Sequence, residues 1–177
     1  MANDGSLIEE IAPGKLTPEQ TAILEAVKKG RGFIPRPFLV WLHNPKLAVP
    51  WEAIGTYLNT GSTLTEREFE IAITVIARRT GSAFPLGAHL RNLAKTGHPQ
   101  HVIDALRDGR MPQLATERER VIYEVTRTSD APEPSTDELF DRAVAALGRD
   151  GLADLIALIG YYTGVCLAMK MHRVPPG

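Results

Sequence analysis

The stretch Thr65-Glu66-Arg67-Glu68-Phe69-Glu70-Ile71-Ala72-Ile73-Thr74-Val75-Ile76-Ala77-Arg78-Arg79-Thr80 decides the fold class. It opens on a Thr with Glu three residues later, the spacing at which a hydroxyl takes an orphan backbone N–H and the glutamate reaches back to the cap. Charges crowd its first turn, and Ile71 to Ala77 carries none. The segment is therefore a helix that is apolar around most of its circumference, with neighbours on more than one side. Glu70 is its innermost carboxylate.

The same start signal recurs at Thr17 to Gln20, Thr116 to Glu119 and Ser135 to Glu138, and Asn44-Pro45 is a fifth start of similar kind. Reading forward from these caps predicts helices over 17–29, 44–59, 65–80, 84–96, 99–108, 116–129, 135–148 and 151–172. No stretch alternates as a strand, so the fold class is all-α, with seven to eight helices. Segments 30–37 and 130–134, rich in Gly and Pro, are read as surface connections. The last helix is again apolar nearly all round. Its Gly160 and Gly164, four apart, predict close approach of another helix backbone. The uncharged run from Leu155 to Met169 covers 15 residues. That is short of the roughly 18 to 20 a bilayer span needs, which predicts a buried core helix.

With 177 residues, 44% of them hydrophobic, the chain fits one domain over 1–177, its first residues 1–16 forming an extended arm. A net charge of −1 supplies no field for nucleic acid or an anionic membrane surface, so neither is expected as a partner. The lone Cys166 excludes an intrachain disulfide, a Cys-rich zinc site and a CxxC redox centre. That and the absence of a basic, apolar leader in Met1 to Glu10 point to the cytoplasm. His98 and His101 share a helical face, but no third ligand is close in sequence, so no metal is expected.

After a break at Gly81 the chain restarts as Phe84-Pro85-Leu86-Gly87-Ala88-His89-Leu90, placing His89 on a face with Leu86 and Leu93 that is expected to turn inward. In an antiparallel hairpin about residue 82, Glu70 lies roughly 18 Å and His89 roughly 10 Å from the turn. Their axial offset is then about 8 Å, which a water or a ligand bridges. A partly buried carboxylate and imidazole in one pocket tune proton transfer near neutral pH. The plainer readings are a first-turn glutamate serving the helix dipole and a satisfied core histidine. Arg36 and His43 are candidates for holding an anionic substrate, Arg36 through bidentate guanidinium contacts. Lys170 and His172 read as complements to the dipole at a helix end. Trp41, Trp51 and Phe38 are candidates for subunit contact, with core packing as the alternative.

Arg36-Pro37-Phe38, His43-Asn44-Pro45, Thr65 to Glu70, Phe84 to Gly97 and Ile159-Gly160-Tyr161-Tyr162-Thr163 together resemble the carboxymuconolactone decarboxylase family, in family order over about residues 30–175. The resemblance implies an all-helical fold related to the alkylhydroperoxidase D proteins, assembly as a homo-oligomer (trimer or hexamer), and Glu70 and His89 at the acid–base positions. In the redox-active branch cysteines would stand at Ser82 and Pro85, so thiolate attack has no nucleophile here. A Tyr-Glu-Trp-like triplet common in the non-redox branch is replaced by Phe84-Pro85-Leu86, putting Phe84 and Leu86 in the substrate wall. The expected activity is a cofactor-independent lyase acting on a small carboxylated lactone or oxo acid. Isomerisation, hydration or lactone opening in the same pocket, and a non-catalytic ligand-binding oligomer, are the alternatives.

Overall fold

A computed structural model describes residues 5–176. Eight α-helices follow a single 3-10 turn at Pro13–Lys15, and no strand occurs among the described residues. They are α1 (Pro18–Arg31), α2 (Phe38–Leu42), α3 (Pro45–Thr60), α4 (Glu66–Thr80), α5 (Ala83–Lys95), α6 (Gln100–Asp108), α7 (Glu117–Thr128) and α8 (Asp137–Met171).

Three of the four expected capping boxes form, at Thr17, Thr65 and Thr116. The fourth start shifts by one residue: Thr136, not Ser135, accepts the Leu139 N–H, and no reciprocal bond closes the box. Asn44 makes no side-chain cap, and Pro45 in the first turn carries that start alone. The helix α2 lies just after the 30–37 stretch read as connection, where the sequence predicts no helix. It is five residues long and opens on Pro37 without a side-chain cap, so it carries no start signal. The two last predicted helices run together as α8, with Gly148 at φ 74° and ψ 170° as a non-helical joint between them. A Cβ at that φ would meet the following carbonyl, which makes glycine the residue suited to the joint.

The helix α4 is the centre of the molecule. Nine of its 15 residues are buried, and it packs on α5, α6, α7 and α8. Ile71, Ile73 and Ile76 are fully enclosed, each contributing roughly 1.5–3 kcal/mol from burial alone. A second apolar cluster joins α1, α2 and α3 through Ile23, Val27, Phe38, Leu42 and Ala48. Phe38 is thus core, and Trp41 and Trp51 stack on one another at 4.7 Å.

The helix α8 departs from expectation. Leu155, Leu158, Val165, Cys166 and Met169 are buried, but Ile156, Leu167 and Met171 on its other side are exposed. By length and composition it is the one described helix able to cross a membrane, and 33% of its most apolar window is buried. Gly164 does admit a close neighbour, but that neighbour is the Trp51 ring: an added Cβ would lie 2.6 Å from it. Gly160 faces open space.

The α4–α5 turn is pinned to α8, because Ser82 donates its hydroxyl hydrogen to the Cys166 carbonyl at 3.1 Å and Lys170 donates to the Thr80 carbonyl at 3.0 Å. Lys170 therefore does complement a helix end, that of α4, and His172 caps its own helix through Ala168 O. The N-terminal arm, of which 1–4 lie outside the described residues, is fastened: Leu7 N–H donates to His172 O at 2.7 Å, and Ile8 and Ile11 pack into apolar clusters.

Where α4 and α7 begin, a polar knot closes. Arg118 grips Glu68 through two nitrogens at 2.6 and 3.1 Å. Arg67 does the same for Glu119, whose other oxygen accepts the Ala115 and Thr116 N–H groups. His98 lies against that carboxylate at 3.3 Å.

Candidate active site

Glu70 faces away from that knot. It is 5% exposed, and its Oε2 lies 2.7 Å from His89 Nδ1. The contact expected through a water or a ligand is direct. Counted from the helix ends, Glu70 is ten residues inside α4 and His89 six inside α5, an offset of about 6 Å, which the glutamate side chain spans. Asn92 donates to Oε1 at 3.3 Å, so both carboxylate oxygens are engaged. A carboxylate accepts only, so Nδ1 carries the proton and Nε2 is the nitrogen left for a ligand.

His89 lines a cavity of about 300 Å³ between the α4–α5 hairpin, α8 and the α1–α2 connection. Phe84, Pro85, Ala88, His89 and Asn92 are the α5 contribution, one turn apart along one side. His89 therefore shares its face with these residues and not with Leu86 and Leu93. Leu93 is core, and Leu86, about 200° around the helix from Phe84, packs against Ile76, Ala77 and Cys166. Leu86 is removed from the substrate wall, and Phe84 stays in it.

Arg36 lines the cavity with its guanidinium carbon 6.0 Å from the Phe84 ring centroid. His43 does not reach it: its Nε2 donates to the Glu9 carbonyl at 2.9 Å, tying down the arm. Sequence reasoning missed Arg31 and Glu52, which form an ion pair at the cavity, with Thr56 donating to Glu52 at 2.9 Å. Gly55 makes room for this, since a Cβ there would collide with the Arg31 guanidinium and the Tyr161 hydroxyl. The only signal for Arg31 in the sequence was a base at a helix C-terminus, which dipole compensation explains equally well.

The walls are aromatic. Phe33, Phe38 and Trp41 come from the N-terminal side, Phe69 and Phe84 from the hairpin, and Tyr161 and Tyr162 from α8. Tyr162 meets both His89 and Phe69 edge-on, at 5.3 and 5.8 Å. Burial pushes the Tyr161 and Tyr162 hydroxyls above the usual phenol range, so both stay protonated at neutral pH. Cys166 lies outside the cavity, and burial raises its thiol as well.

Solved structures share this arrangement of helices. A peroxidase-related protein from Silicibacter sp. TM1040 superposes with a TM-score of 0.76 at 14% identity, over 97% of this chain and 92% of that one. A peroxidase-related alkylhydroperoxidase AhpD core protein from Ralstonia eutropha JMP134 gives 0.75 at 16% identity, with the same coverage. The chain has the AhpD core fold. The debrominase Bmp8 shares the AhpD core fold with it at a TM-score of 0.72 and 16% identity, over 97% and 92% of the two chains. No sequence-family model matches the chain, and no curated protein matches it in sequence. The expected fold relationship thus holds, on geometry.

Proposed function

We propose that this chain is a cofactor-independent carboxy-lyase acting on a small carboxylated lactone or unsaturated oxo acid. The observation that carries the reading is the 2.7 Å Glu70–His89 contact inside a ligand-sized cavity. Arg36 holds the substrate carboxylate at the Phe84 wall. The bond between carbon and carboxylate breaks, CO₂ departs, and the electron pair enters a dienolate. His89, protonated and oriented by Glu70, delivers its Nε2 proton to carbon and recovers one from water. Such general acid catalysis is worth roughly 10²- to 10⁴-fold in rate.

Three further observations support this cavity and this chemistry. A larger groove of about 640 Å³ beside Ile156 and Gly160 offers only Glu133 as a titratable lining group. Cys166 is outside the catalytic cavity and its thiol is held neutral, so peroxide reduction by a thiolate has no agent there. A structural neighbour, the debrominase Bmp8, has been solved with 2,3,4-tribromopyrrole, so this fold does house chemistry on a small ring.

Phe84-Pro85-Leu86 contributes no phenol or carboxylate to the wall, and this favours isomerisation or lactone opening as the second reading. Exposed Ile156, Leu167 and Met171 support a homo-oligomer, and a cytoplasmic setting completes the proposal. The test is incubation of the purified protein and of His89→Ala with carboxylated lactones and unsaturated oxo acids, followed by mass spectrometry. CO₂ release by the wild type alone is expected. Conversion without CO₂ selects the second reading, and ligand binding without conversion discards both.

A further inference from the structure

A pocket of about 340 Å³ opens where the last turns of α4 and α7 meet the end of α6, and it shares no lining residue with the catalytic cavity. Its volume falls within the roughly 300–1,000 Å³ of ligand sites. Its charge is one-sided. Arg78, Arg79, Arg110 and Arg127 line it against a single acid, Asp130, in a chain whose net charge is −1. Like charges gathered at one concave place raise the local potential and draw in an anion.

Helix ends explain part of this cluster. Cations near a helix C-terminus offset its dipole and take its free carbonyls. Arg79 does so, donating to the Thr126 carbonyl at 2.9 Å and to Asp130 at 3.2 Å. Arg110 is paired with Asp108 at 3.0 Å. Arg78 and Arg127 have neither an ion pair nor a hydrogen bond to any described residue. The Arg78 guanidinium rests on Gly109, where an added Cβ would lie 3.5 Å from its Nε. Gly109 caps α6 at φ 73°, a conformation that favours a residue without a side chain.

Tyr123 is a second, independent sign. It is 8% exposed, it lines the pocket, and its hydroxyl has no hydrogen-bond partner among the described residues. That oxygen is not one of the sealed, unpartnered polar atoms, so it opens on the side where the residue lines the pocket. A buried phenol ordinarily finds a partner. Val75 and Leu106 give the pocket an apolar side.

We propose that this pocket binds a phosphate monoester. Its oxygens accept from Arg78, Arg127 and the Tyr123 hydroxyl, and its apolar body lies on Val75 and Leu106. A guanidinium fork matches phosphate oxygens bidentately, and a dianion satisfies two unpaired cations where a monoanion satisfies one.

The test is calorimetric titration of the full chain with phenyl phosphate, inorganic phosphate and benzenesulfonate. It is run at about pH 7.5, where the monoester is a dianion, and at constant ionic strength set with sodium chloride, so that screening is common to all. Phenyl phosphate is expected to bind about tenfold more tightly than benzenesulfonate, through its second charge, and at least about threefold more tightly than inorganic phosphate, through apolar contact. Arg78→Gln combined with Arg127→Gln is expected to weaken it about 100-fold, and Tyr123→Phe, which keeps the ring in the core, about fivefold. Lys28→Gln with Lys29→Gln removes the same charge from the exposed end of α1 and is expected to change nothing. No binding above the chloride background, binding untouched by the arginine pair and by Tyr123→Phe, or binding lost in His89→Ala overturns the proposal. The last would place the ligand in the catalytic cavity. Equal affinity for phenyl phosphate and benzenesulfonate overturns the dianion requirement, and equal affinity for phenyl and inorganic phosphate overturns the apolar subsite.

Discussion

Two glutamate–histidine pairs flank α4, one at each side of its first turns, and they have the same chemistry with opposite fates. Glu119 and His98 sit in the polar knot, where the carboxylate also receives Arg67 and two backbone N–H groups of the α7 cap. The Thr96 hydroxyl holds the other nitrogen of His98, at 2.6 Å. Neither Glu119 nor His98 lines the ligand cavity. Glu70 and His89 have fewer partners, and the imidazole edge opens on ligand space. A buried acid beside a buried base is therefore not a site by itself. What separates the two is how many of their valences the protein has already used.

The sharpest way to break this comparison is His89→Ala. CO₂ release is expected to fall roughly 10²- to 10⁴-fold, with the melting temperature nearly unchanged, since His89 borders a cavity. A variant that unfolds instead would make this pair as structural as the other.

Glu119→Gln is the converse. Removing the charge leaves Arg67 without its counter-ion and replaces one of the two acceptor oxygens, which serve Arg67 and the α7 start, by an NH₂ donor, at an expected cost of about 3 kcal/mol in urea unfolding. Turnover per folded molecule is expected to stay at the wild-type level. Lost turnover in the folded fraction would show that the knot communicates with the cavity.

The pH dependence of stability sharpens the contrast. Burial alone would raise the Glu119 and Glu68 carboxyls, but Arg67 and the Thr116 N–H, and Arg118 and the Thr65 N–H, hold them below the usual glutamate range. Burial, helped by Arg67, holds His98 below the usual histidine range. All three are depressed in the folded state, so each contributes stability above its unfolded pKa and loses it as pH falls through the folded value. Thermal melts are expected to decline first below about pH 6.5, where His98 takes up a proton in the unfolded chain that the folded state resists, and again below about pH 4.3, where the glutamates do the same. Glu119→Gln is expected to flatten the second decline. The smallest effect is that of Asn92→Ala, which removes one long hydrogen bond to Glu70 and is expected to slow turnover about fivefold, the equivalent of about 1 kcal/mol.

Helix starts were legible in the sequence wherever a Thr stood three residues before Glu or Gln, because that device is local. Only α2 escaped, since a five-residue helix between prolines is held by the Phe38 and Leu42 contacts and not by its own ends. Glu70 and His89 were legible for the same local reason, both lying on one short hairpin. Arg31, Glu52 and the aromatic walls were not, because they reach the cavity from α1, α3 and α8, and only tertiary packing brings those helices together. Leu86 and His43 were misassigned by nearness along the chain. A helix turns about 100° per residue, and the two positions from Phe84 to Leu86 suffice to carry a side chain from cavity to core.

The bond from Leu7 N–H to His172 O gives the molecule a property its helices alone do not convey. The two ends of the described chain meet, so the path of the polypeptide is nearly a ring with a gap at one clasp. Where a chain begins is then a matter of which connection is left open. A short bridge across the clasp, with a new opening in the exposed 130–135 loop, would give a permuted chain able to keep every helix in its place.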